Sequence, residues 1–364
     1  MTDAPLATQA PPGGDGLLGG PGTAAEALAA HLAAEAGSFL RELPSVDLHT
    51  LRRVGAALHT FDQLLDPAWS QELREELSRL GGLLGQERAY GRRLSRVLGS
   101  LDSLTYADPA AAQSAAERGT AQTGSSPTAA QPAATAGPVP QQRQAEGLLA
   151  RHPGAPKARA LLERQLTLGR SRAHTTALQE LGSARFHALA DRMTLLVSDL
   201  PLRAPADRRT PAEGLLPLAV AEAGTLLDAM AELPLERSAV AYTGDMLHDP
   251  GDDRPWQQAR GLVLRTQYAL EVCVPLLGPR ATRPAAALGD LARILARHRD
   301  AAEAAEAAAL AALTPRITPA TAYVLGVVHA DQRLEVEAAR HAFSCTWPEL
   351  DRSGWLTDAW LTNR

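Results

Sequence analysis

Leucine and alanine recur at intervals of three and four residues through most of this 364-residue chain, and strict alternation of apolar and polar positions is absent. A 3.6-residue period puts such positions on one helical face, so the pattern predicts an all-α fold. Thr23-Ala-Ala-Glu26 forms a capping box that opens a first helix. That helix is expected to run to Glu42 and to end before Pro44, because the residue preceding a proline avoids the helical region. Asp47 can cap a second helix whose first turn carries His49. Asp66 or Pro67 opens a long third helix reaching about Leu104, with a break expected at Gly81-Gly82. Helical spacing resumes over residues 145–150 and 156–178, and then over 212–231, 254–277, 284–313 and 318–343. Pro201, Pro205 and Pro211 mark a join between two halves.

Two stretches lack this pattern. Residues 1–22 are rich in Gly and Pro, and residues 106–144 are Ala, Gln, Thr, Pro, Ser and Gly with few large apolar side chains. Neither can bury enough surface to offset its ordering entropy, so both are expected to be disordered. The expected division is a tail (1–22), a first helical half (23–205) containing the insertion (106–144), a second half (206–347) and a C-terminal tail (348–364).

A repeat lies inside the helical pattern. Asp47-Leu-His-Thr-Leu-Arg-Arg-Val-Gly-Ala-Ala-Leu-His59 and Trp256-Gln-Gln-Ala-Arg-Gly-Leu-Val-Leu-Arg-Thr-Gln-Tyr-Ala-Leu-Glu271 both carry an Arg three residues after a polar residue, followed by an apolar stripe. His49 with Arg52, and Gln257 with Arg260, share a helix face, since positions three apart are neighbours. These segments resemble the two signatures of the CHAD family, an α-helical domain named for its histidines. Leu84-Gly-Gln-Glu-Arg88, Leu181-Gly-Ser-Ala-Arg-Phe-His-Ala-Leu189 and Leu295-Ala-Arg-His-Arg-Asp300 are similar to three further family segments. The resemblance covers about residues 23–347. It implies two antiparallel four-helix bundle halves related by pseudo-twofold symmetry, with a basic channel that binds inorganic polyphosphate. The implied contacts are His49, Arg52, His59, Arg88, Arg185, Arg260 and Arg265. Arg92 and Arg96 extend Arg88 into a stripe at i, i+4 and i+8, which reads either as a surface for an anionic polymer or as a solvated face paired with neighbouring carboxylates. Ala56, Ala57, His59, Leu264 and Gln267 stand where the signatures carry cations, so weakened binding is expected.

Composition narrows the functional classes. The net charge is −5, which argues against general nucleic-acid affinity. Lys157 is the sole lysine, and arginine supplies the remaining positive charge. Its planar fork suits phosphate oxygens. Cys273 and Cys345 make no disulfide framework and are expected to be buried free thiols. No apolar run approaches the roughly 18 residues of a membrane span, and the N-terminus lacks a basic leader, so a cytoplasmic location without membrane contact is expected. No Walker sequence, Gly-x-Ser-x-Gly or Cys-x-x-Cys occurs. His298-Arg-Asp300 reads as a loop or helix-end salt bridge, and His329 with His341 lack a third zinc ligand. The expectation is therefore a non-enzymatic polyanion binder without cofactor, metal or catalytic residues. A degenerate scaffold for protein contacts is the alternative. The resemblance also implies a separate CYTH-type domain as a protein partner.

Overall fold

Thr23 begins the first helix as its capping box requires. Its Oγ1 accepts from the Glu26 amide at 3.1 Å, and the Glu26 carboxylate accepts from the Thr23 amide at 3.1 Å. The computed structural model describes residues 22–42, 47–106, 147–203, 209–239 and 253–352. The expected tail (1–22) and insertion (106–144) lie outside these residues apart from Gly22 and Tyr106.

The helices are α1 (Ala24–Arg41), α2 (Leu48–Thr60), α3 (Pro67–Thr105), α4 (Ala155–Leu181), α5 (Ala184–Ser198), the short α6 (Pro211–Gly214), α7 (Leu216–Ala231), the short α8 (Leu235–Ala239), α9 (Asp253–Leu277), α10 (Pro279–Ala312) and α11 (Pro319–Arg352). Among the described residues there is no strand; Leu65 and Leu202 form one isolated antiparallel bridge. The fold is all-α, as the 3.6-residue period predicts. Asp47 caps α2 through the His49 amide, and Asp66 caps α3 through the Trp69 amide.

Four boundaries differ from expectation. Helix α3 continues across Gly81-Gly82. Each glycine costs about 1 kcal/mol in a helix interior, but Leu73, Leu77 and Leu80 are buried just before the pair, and their burial offsets that cost. Residues 148–151 form turns rather than a helix. Helix α10 begins at Pro279, five residues early, because Gly278 takes a left-handed φ of 51° that turns the chain directly out of α9. Helix α11 runs on through Pro348 to Arg352, past the expected start of the C-terminal tail.

The packing follows chain order twice. Helix α1 packs on α2, α2 on α3 and α3 on α4; later α7 packs on α9, α9 on α10 and α10 on α11. The cross-contacts are α2 with α9, α3 with α10 and α4 with α11. The apolar clusters do not divide at residue 205. One unites α1, α2, the start of α3, α5, α7, α9 and the start of α10. The other unites the end of α3 (Val97, Leu101), α4, the end of α10 (Ala304, Ala308, Ala311) and the start of α11 (Val324, Leu325, Val328).

The stretch Pro211–Ala231 is long and apolar enough to cross a membrane, contrary to the expectation that no run approaches that length. Here Leu216, Ala219, Ala223, Leu226 and Met230 are buried in the protein core. Cys273 is buried, which pushes its thiol up to about 12. Cys345 is exposed, not buried as expected, because it lies on an outward position of α11.

His298 also departs from expectation. It lies inside α10 at 1 % exposure, neither in a loop nor at a helix end. Its ring stacks on Trp256, and its Nε2 accepts from Arg340 Nε at 3.2 Å. Asp253 accepts from Arg340 at 2.7 Å and from Arg333 at 2.6 Å. Arg340 spends its remaining reach on Glu337 and the face of Trp256. The network ties the start of α9 to α10 and α11. An arginine N–H can only donate, so the His298 Nε2 carries a lone pair and the imidazole is neutral.

Candidate functional site

Helices α2, α3 and α9 and the end of α7 line an open cavity of about 1100 Å³. Helical spacing explains which residues reach it. Arg52, Gly55, Ala56 and His59 form one face of α2; Gln71, Arg74, Ser78, Gly81 and Gly82 form one face of α3; Gln258, Gly261, Arg265 and Tyr268 form one face of α9. Arg260, Leu262 and Leu264 complete the α9 wall.

The cavity carries two basic groups. In the first, Arg52 and Arg260 come from the repeated segments. Among the described residues, neither has a carboxylate within ion-pair distance. Arg260 Nε is buried and, among the described residues, has no hydrogen-bond partner. Crowding by protein, then repulsion from Arg299 and Arg52, holds Arg260 down to about 10, opposed by Asp300 and Tyr268. Arg52 keeps an exposed surface, yet its pKa is also lowered, first by desolvation against the cleft wall. Tyr268 opposes that shift, while Arg299, Arg92 and Arg88 add to it. Like charges that depress one another create a field an anion would relieve.

The second group is better compensated. Arg265 donates to buried Glu222 at 2.7 Å. Arg74 donates to His59 Nδ1 at 2.9 Å and also to Gln71. His59 Nδ1 must therefore accept, and His59 is neutral. Burial first, then Arg265, lowers its pKa below the ordinary histidine value, opposed by Glu222.

The sequence-predicted residues divide accordingly. Arg52, His59, Arg260 and Arg265 line the cavity. His49 stands in the first turn of α2, where its Nδ1 lies 3.2 Å from the Tyr268 hydroxyl and its ring meets the Tyr268 ring edge-on. Arg88 lies 3.8 Å from Asp47, and Arg92 bonds Asp300 at 3.1 Å. Both stay close enough to act on Arg52. Arg96 bonds Gln332 and Glu335 and fastens α3 to α11. Arg185 holds Glu76 with its Nε and Nη2, joining α5 to α3. Neither Arg96 nor Arg185 lines the cavity. The Arg88–Arg92–Arg96 stripe is thus a paired face bridging helices rather than a row of cations on the cleft wall.

Sequence reasoning missed Arg74, Arg299 and Tyr268. Arg74 shows no motif; its signal is its place on the Gln71–Ser78–Gly82 face of α3. Arg299 stands within the quoted Leu295–Asp300 segment, but it matters only because α10 brings it near Arg52 and Arg260. Of the positions where the signatures carry cations, Ala57 is 0 % exposed within the apolar core and has no route to the cavity. Ala56 and Leu264 do line it, and Gln267 bonds Glu271 at 3.1 Å.

The family model described as "CHAD domain" matches residues 23–309. Among solved structures, PptA from Streptomyces chartreusis is similar at 40 % identity and a TM-score of 0.66; the match covers 90 % of this chain and 99 % of that one. No curated protein matches.

Proposed function

Because the chain belongs to the CHAD-domain family, whose signatures imply a basic polyphosphate channel, we propose that this cleft binds inorganic polyphosphate or a related polyanion without turning it over. One observation carries the reading: Arg52 and Arg260, from two repeated segments, line one cavity, and among the described residues neither has a carboxylate within ion-pair distance, although Glu75 and Glu232 line the same cavity and Asp300 acts on Arg260. Arg299, Arg92 and Arg88 add to the same field, each partly offset by its own carboxylate, Asp300 for Arg299 and Arg92 and Asp47 for Arg88. His49, its Nδ1 3.2 Å from the Tyr268 hydroxyl, stands at the edge of that group, where its Nε2 is the atom left to meet an anion. The matching order of packing, α1-α2-α3-α4 and α7-α9-α10-α11, supports two bundle halves related by a pseudo-twofold axis.

Binding is weakened relative to the fully basic signatures. Leu264 and Ala56 present apolar surface to the cleft, and Arg265 is already engaged by Glu222. The scaffold reading draws support from Arg53, Arg79, Arg92, Arg96 and Arg185, all spent on internal ion pairs.

Isothermal titration with tripolyphosphate and with long-chain polyphosphate separates the two. Charge-assisted contacts contribute about 1.5–3 kcal/mol each, so Arg52→Ala with Arg260→Ala should lower affinity by roughly two orders of magnitude. The salt dependence should also flatten by about 0.7 for each phosphate no longer neutralised. Unchanged affinity in the folded double variant would favour the scaffold.

A further inference from the structure

Four glycines stand inside helices along the cleft: Gly55 on α2, Gly81 and Gly82 on α3, and Gly261 on α9. None has a positive φ, so no backbone strain requires glycine. A Cβ built at any of the four meets nothing within 4 Å. Close packing therefore does not require glycine either, although glycine inside a helix lowers stability. What the four share is the cavity they widen.

The surface they form is mostly apolar, although Ser78, Gln258, Glu75 and Glu232 also line the cavity. Leu51, Leu77, Leu262 and Leu264 line the same space, with Ala56 and Ala229. Helical backbone offers no free N–H along such a wall. A bare phosphate chain laid against its glycine and leucine positions would give up water there and find donors only at flanking side chains such as Ser78 and Gln258. An alkyl chain laid there would gain from leaving water. Tyr268 is the aromatic side chain on the wall, and it is buried and engaged with His49, so little is offered for base stacking. The basic group at Arg52 and Arg260 supplies the charge complement for an anionic head. A largely apolar cavity with a few convergent polar groups is the usual form of a small-molecule site.

We propose that the cleft accommodates an amphiphilic anion, an aliphatic phosphate monoester with its phosphate on Arg52 and Arg260 and its chain along the glycine–leucine wall. This rests on the reading above that those two arginines hold phosphate, and it adds what occupies the rest of the cavity.

The probes are dodecyl phosphate below its critical micelle concentration, butyl phosphate and tripolyphosphate, titrated calorimetrically into the full-length protein. Each methylene placed against the wall strengthens binding, so dodecyl phosphate should bind at least about tenfold tighter than butyl phosphate. Gly81→Leu with Gly261→Leu fills open space on two walls. That variant should keep its helical circular dichroism and its melting temperature. It should lose about tenfold or more in dodecyl phosphate affinity and a smaller factor in tripolyphosphate affinity. Leu264→Lys should reverse the preference between the two probes. Dodecyl phosphate binding no tighter than butyl phosphate, with tripolyphosphate still bound, overturns this proposal and leaves the polyanion reading standing. Absence of binding by every probe overturns both. Dodecyl phosphate affinity unchanged in the folded glycine variant places the chain elsewhere and overturns the proposal. So does capture by phosphatidylcholine vesicles containing phosphatidic acid without binding of monomeric dodecyl phosphate.

Discussion

Mild acid should destabilise this protein through two buried histidines, beginning at a pH above its carboxylates' ordinary titration range. His298 is held down to about 4 by burial first and then by Arg340, and His31 to about 4 by burial first and then by Arg53. In the unfolded chain both titrate near 6.5. As pH falls through 6.5 the unfolded state takes up protons that the folded state refuses. The stabilisation is therefore fully present above about 6.5 and is lost progressively toward pH 4. The slope is about 1.4 kcal/mol per pH unit for each histidine, roughly 3 kcal/mol apiece across the window. Together that is a large share of the 5–15 kcal/mol by which a domain is typically stable. Guanidinium denaturation followed by circular dichroism at pH 7.5, 6.0 and 5.0 measures the loss, which should reach about 4 kcal/mol by pH 5. His298→Gln preserves an acceptor for Arg340 and should remove about half the slope; adding His31→Gln should remove most of the remainder. His59, also lowered, leaves a residual slope of the same sign. Stability that stays flat from pH 7.5 to 5, or a slope unaltered in a folded double variant, would refute the reasoning.

Four further outcomes are expected. Because Arg74 donates to His59 and its pKa lies below the ordinary value, tripolyphosphate affinity should show no rise centred on pH 6.5 that His59→Gln removes; calorimetric titration from pH 8 to 5.5 checks this. Arg53 bridges Glu35 and Glu271 across α1, α2 and α9, so Arg53→Met should cost about 1–3 kcal/mol in denaturant titration, whereas Arg185→Met should leave the melting temperature nearly unchanged. Leu264→Lys should raise tripolyphosphate affinity and steepen its salt dependence by about 0.7. Ala57→Arg should disrupt folding, seen by circular dichroism, because that position lies inside the core.

Helix starts were legible where a side chain acts on its own backbone. Thr23, Asp47 and Asp66 cap where their chemistry requires, because capping depends only on residues two or three positions away. The path through Gly81-Gly82 was not legible, since it depends on Leu77 and Leu80 meeting other helices. The site shows the same boundary. Arg52 and Arg260 emerged from the repeat, and both line the cavity. Arg96 and Arg185 carry the same charge and fit the same patterns, but their partners Glu335 and Glu76 lie 239 and 109 residues away. No local signal separates a cation facing a cleft from one consumed by a distant carboxylate. His298 was misplaced for a related reason: its role depends on Arg340, 42 residues further along a different helix.

Helices α3 and α10 each pass from one apolar cluster into the other. A chain severed between Arg203 and Arg209 would give two polypeptides, each owning part of both clusters and the whole of neither. Produced separately, both would expose leucine-rich faces and aggregate. Produced together, they would act as a complementation pair, in which refolding of one half reports the presence of the other.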